Sequence, residues 1–177
     1  MVYEEEFWEL VESSGSPDNC SLEEQCERIT KKLSGKSKEE LVAFANIHRE
    51  ILCKAYTWPM LKASFVLLSY ISDDVFEDFR NWVILNGKKR FYETLDNPDN
   101  IASYIQVQDP VEEVTGEALL YVCDEAWDGD IEDLEEEYVY PEDPVIEDDW
   151  PSEKELKHEF PKLYDQFWDE ENVRTLN

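Results

Sequence analysis

The chain has 177 residues and a formal net charge of −28, from 16 Lys+Arg against 44 Asp+Glu. The length suits one domain with its own core, and a hydrophobic share of 42% with 13% aromatics excludes disorder throughout. A field of this sign repels phosphate backbones and anionic lipid, so direct nucleic-acid binding and membrane-surface binding are excluded as primary roles.

The elements, in chain order, are helices. Phe7, Leu10 and Val11 fall at helical spacing in a first helix over about residues 4–13, ended by the run Ser13-Ser14-Gly15-Ser16-Pro17. Ser21-Leu22-Glu23-Glu24 is a capping box that opens a second helix, closed by Gly35, and Ser37-Lys38-Glu39-Glu40 opens a third, through Tyr56. A fourth, about Trp58 to Tyr70, is apolar nearly all round, which predicts a central position with Leu61, Phe65 and Leu68 buried. Ser72-Asp73-Asp74 caps a fifth helix, with Val75, Phe76, Phe79, Trp82 and Val83 on its buried stripe. Gly87 interrupts this pattern before a basic helix, Lys88 to Leu95, and a short segment follows from Asn97-Pro98 to Ile105. One further helix is expected from Thr115 or Gly116 to Trp127. Residues 128–150, with Pro141, Pro144 and dense acids, predict an extended acidic loop. Ser152-Glu153-Lys154-Glu155 then starts a last helical region that Pro161 breaks. The fold expected is all-α: a single globular multi-helix domain, residues 1–177, with an acidic, proline-containing loop in its C-terminal half.

The start, Met1-Val2-Tyr3-Glu4-Glu5-Glu6, lacks the basic and apolar regions of a secretory signal. Cys20, Cys26, Cys53 and Cys123 form no Cys-x-x-Cys pair, and four reduced thiols in a cytoplasmic protein are expected. The apolar stretch Ala63 to Ile71 is too short to span a bilayer.

Motifs for chemistry are sparse. His48 and His158 sit in no metal-ligand spacing, and His48 reads as a structural histidine at the margin of an apolar stripe. A calcium loop begun at Asp128 puts Asp133 where glycine is needed and Val139 where a bidentate Glu is needed, so it fails. No glycine-rich phosphate cradle occurs, and neither a metal nor a cofactor is expected. Two constellations remain. The first gathers Asp73, Asp74 and Arg80, with Trp58, as a candidate cluster for a ligand or partner; its bland alternative is a helix cap with a surface ion pair. The second is charge: residues 1–90 hold 12 basic and 16 acidic side chains, whereas 91–177 hold 4 and 28. Within it, Asp128, Asp130, Glu132, Asp133, Tyr138 and Tyr140 form a candidate acidic partner surface with interleaved aromatics.

The chain also resembles the bacterial domain-of-unknown-function family 4240. The matching features are Glu5-Glu6-Phe7-Trp8, Tyr56-Thr57-Trp58, and the block Ser72-Asp73-Asp74-x-Phe76-x-x-Phe79-Arg80-x-Trp82-Val83-Ile84-x-x-Gly87. Pro98-Asp99, Glu117 to Val122, Glu125-Ala126-Trp127, Trp150 and Phe160-Pro161-Lys162-Leu163-Tyr164-x-x-Phe167 extend the likeness. The resemblance implies the helical fold and a cytoplasmic bacterial origin, and no activity.

Three function classes follow. The first is a non-catalytic interaction protein with a basic protein partner, for which an immunity or inhibitor protein covering a toxin's positive active site is the best-motivated form. The second is a nucleic-acid mimic whose carboxylates imitate phosphates. The third is an enzyme or small-ligand-binding protein using Asp73, Asp74 and Arg80. The charge division favours the first.

Overall fold

The structure is a computed structural model and describes residues 3–105, 110, 114–146 and 149–169. Among these residues it is helical, with no strand. Six helices form the body: α1 (Glu4–Ser13), α2 (Leu22–Leu33), α3 (Lys38–Lys54), α4 (Trp58–Leu68), α5 (Asp73–Leu85) and α6 (Lys88–Asp96). The capping boxes at Ser21 and Ser37 are both formed. Thr57 caps α4, whose first turn accepts Pro59 because an N–H there has no helical partner.

The centre of the molecule is α5, which packs against α2, α3, α4 and α6. Its face from Phe76 through Phe79 to Trp82 forms a row of stacked rings, continued by Tyr56 on one side (5.3 Å between centroids) and Tyr104 on the other (5.9 Å). Phe65, Leu68, Phe79 and Val83 are buried as expected, and α4 is enclosed from Met60 onward except at Leu61. Leu61 is only half-buried because the outer side of α4 is left partly uncovered at that turn, and Val75, in the first turn of α5, is likewise only half-buried at the edge of the core.

Two caps come from distant residues. Gly87, at φ +91, offers no side chain to the start of α6, so Glu12 Oε1 of α1 accepts from the Lys88 N–H at 2.9 Å. Within a 3-10 turn at Pro98–Ser103, buried Asp99 caps the last described helix.

The second half differs from expectation in two places. The single helix expected over 115–127 is a 3-10 turn, Glu117–Leu120, followed by α7 (Val122–Ala126). Gly116 lies so close to α5 that a Cβ would stand 2.3 Å from the Trp82 nitrogen, and its N–H donates to Asp78 O at 3.0 Å. That close crossing ties down the segment before a regular helix can begin. Within the acidic stretch expected to be extended, a short helix α8 (Ile131–Glu135) forms on an Asp130 cap and buries Leu134. Then α9 (Glu153–Glu159) packs on α10 (Pro161–Phe167), which returns to α4, the two being broken at Pro161 as expected.

No single described helix is long and apolar enough to cross a membrane; only α3 and α4 taken together reach that composition, and they bend by 84° between them. The four cysteines are free thiols, and burial pushes those of Cys26 and Cys123 up to about 12. Neither reacts readily as a thiolate at neutral pH.

Candidate functional site

The cluster drawn from Trp58, Asp73, Asp74 and Arg80 is not assembled as one charged site. Asp73 and Asp74 are exposed in the first turn of α5, where the helix dipole favours them and Ser72 Oγ accepts from the Val75 N–H. Arg80 is buried instead of lying at the surface, and no carboxylate among the described residues is within 4 Å of it. Its guanidinium lies 4.7 Å from the Tyr56 ring and 4.7 Å from Phe76, and donates to Leu52 O at 3.1 Å. Leu52 belongs to the last turn of α3, whose carbonyls lack helical partners and carry the negative end of the dipole. Arg80 therefore clamps a helix end. Trp58 is half-buried, edge-on to Trp150 at 5.4 Å, and belongs to the packing of the segment before α9 on α4.

His48 is the structural histidine expected. It is buried, its Nε2 is 2.7 Å from Asn81 Oδ1, and desolvation lowers its pKa to about 4. Among the described residues, no group of three His, Cys, Asp or Glu side chains could hold a metal ion.

The acidic stretch has a defined course. Residues 130–142, α8 included, form a strap whose last part, 137–142, follows α3 in the same direction as that helix. Lys38 pairs with Glu137 at 2.7 Å; Asn46 donates to Glu137 O and accepts from the Val139 N–H at 2.7 Å; Cys53 donates to Glu142 O. Tyr138 donates to Asp124 at 2.7 Å and receives the Arg49 guanidinium on its ring at 4.0 Å. Burial and that Asp124 carboxylate hold its phenol well above the ordinary value. Thus Tyr138, expected as a partner-facing aromatic, is a half-buried pin of the strap; Trp127 is half-buried too, and its indole donates to Asp130 O. Tyr140 differs: it is 68% exposed, with Arg49 supporting one side at 4.8 Å. Val139, its neighbour in the chain, and Val145 further on are exposed too. Asp128, Asp130, Glu132 and Asp133 all face solvent.

A second feature was not legible beforehand. A groove of about 670 Å³ opens between the start of α2 and the end of α5, walled by Trp82 and Tyr104 and by Thr115 to Ala118. Its charged lining residues, among those described, are Asp18, Glu23 and Glu117, all acidic. Beside it, Asp78 accepts from the Thr115 hydroxyl at 3.4 Å; burial first, and then the Glu117 carboxylate, push its pKa up to about 6. Asp78 carries no motif and is brought to Glu117 only by the Gly116 crossing.

A family described as protein of unknown function, DUF4240, matches residues 2–129. The chain belongs to this family. Within the matched span lie the α5 block, the Arg80 clamp and the groove; the strap from Asp130 onward lies beyond it, as does the likeness read at Trp150 and Phe160 to Phe167. No curated protein and no solved structure matches the chain.

Proposed function

We propose that this protein is a non-catalytic binding protein whose acidic strap takes a basic protein partner, an immunity or inhibitor protein covering a toxin's positive site being the form best suited to such a surface. One observation carries the reading: the strap is pinned along α3 by Lys38, Asn46, Arg49 and the Tyr138–Asp124 hydrogen bond, while its carboxylates remain in solvent. Of the acids from Asp128 to Asp143, Glu137 alone has an ion pair within 4 Å among the described residues. Fixed, unneutralised charge steers an oppositely charged partner and sets its orientation without an entropy cost of ordering the loop. Tyr140, with Val139 and Val145, adds the aromatic and apolar contact that charge alone lacks.

The test is retention of host proteins by the wild type and by the triple variant Asp130→Lys/Glu132→Lys/Asp133→Lys, each at low and high salt. A basic protein held by the wild type at low salt, released at high salt and not held by the variant is expected. Equal retention by both chains removes the strap from the interface.

A further inference from the structure

We infer that the groove between α2 and α5 receives an arginine side chain from a basic protein partner, as a contact separate from the strap; the inference rests on the reading that the partner is basic. The groove already shows how it treats a guanidinium. Arg90 lies over the Tyr104 ring at 4.8 Å, pairs with Asp18 at 2.7 Å and donates to Asn86 Oδ1 at 3.3 Å, and all three of those residues line the groove. Carboxylate, amide oxygen and aromatic face are the three surfaces that a planar, weakly hydrated cation prefers.

Arg90 uses only part of this chemistry. Glu23 and Glu117 also line the groove, and among the described residues neither has a cation within 4 Å. Leu22, Ile105 and Ala118 are the apolar lining near them, suited to the methylene stem that an arginine lays along a nonpolar wall. The volume, about 670 Å³, is in the range of sites that enclose small ligands, so one long side chain enters without displacing Arg90. The region is also short of positive charge: Asp78 stands behind Glu117, its carboxyl raised by burial and by that neighbour. A cation at Glu117 would relieve both acids at once.

The experiment uses the full chain, labelled with nitrogen-15, titrated with N-acetylarginine amide at constant ionic strength and followed by backbone amide shifts. Saturable shifts centred on residues 22–23 and 115–118 are expected. Glu23→Gln/Glu117→Gln should weaken the binding at least five-fold with its spectrum still dispersed, and Glu132→Gln/Asp133→Asn on the strap should leave it unchanged. Equal affinity in the groove variant, or unsaturable shifts spread over every acidic surface, overturns the inference. Because the probe is a free amino-acid derivative, the two readings fail separately. No arginine binding alongside a strap-dependent partner removes the groove alone. Saturable groove binding alongside partner retention indifferent to strap reversal removes the strap alone.

Discussion

Asp78 and Asp99 are both acids on or beside helices, and their surroundings give them opposite roles. Asp78 is ionised at neutral pH against burial and the Glu117 charge. With its pKa raised from 3.8 to about 6, its penalty is absent below the unfolded value, grows as pH rises through that interval, and is complete above about 6. Asp78→Asn keeps an acceptor for Thr115 and removes the charge. It should stabilise the protein by about 1–2 kcal/mol at pH 7.5, after allowance for solvent screening, and by about half that at pH 5. Melts at the two pH values check this; a loss of stability at pH 7.5 would show that the carboxylate is compensated. Asp99, by contrast, is buried and useful. Its Oδ1 accepts from the Lys162 N–H at 3.0 Å and the Leu163 N–H at 2.9 Å, so it caps α10 from more than sixty residues away in place of Phe160. Asp99→Ala should cost about 2–3 kcal/mol and Asp99→Asn clearly less, since the amide oxygen still accepts. Equal costs for the two variants in denaturant titrations would mean that packing, not capping, is what Asp99 supplies.

At the scale of elements, α5 organises the rest. Its rings at Phe76, Phe79 and Trp82 fall on successive turns, so one helix face builds the row that joins Tyr56 to Tyr104. Phe79 is fully enclosed in the middle of that row. Phe79→Ala should destabilise by about 3–5 kcal/mol through lost burial and a residual cavity. A change under about 1 kcal/mol in urea titrations would mean that the neighbouring rings close the gap. The strap obeys a different logic. Apart from Leu134 it buries little, and its course is set by polar pins to α3: Lys38, Asn46 and Arg49. Such a segment opens at lower free energy than the helices beneath it, and amide exchange should be faster at residues 137–142 than in α5.

Across the whole molecule, self-repulsion is the dominant electrostatic fact. With a net charge of −28 and ion pairs that are mainly partly exposed, screening should relieve more repulsion than attraction. Raising NaCl from about 20 mM to about 300 mM, which shortens the screening length several-fold, should therefore raise Tm. A fall in Tm over that range would show that the ion pairs outweigh the repulsion. On the reading proposed above, the same field would steer the basic partner, and association should then slow as the same salt is added.

The helical class, the capping boxes at Ser21, Ser37 and Ser152, the break at Pro161 and the buried stripe of α5 were legible in the residues, because caps, breakers and apolar spacing act within a few positions of themselves. The charge division was legible for the same reason: composition needs no geometry. What the residues alone left open were relations between distant positions. Arg80 stands near Asp73 and Asp74 in the chain, yet helical geometry turns it inward to the end of α3. Asp99 finds its helix only when α10 returns to the body. Tyr138 differs from Tyr140 because Asp124 accepts from its hydroxyl while Arg49 lies on its ring, whereas only Arg49 supports the other. The groove and the Asp78–Glu117 proximity exist because Gly116 lets a later segment lie against α5. Local propensity determined the elements; their docking decided which charges were absorbed into the fold and which were left facing solvent.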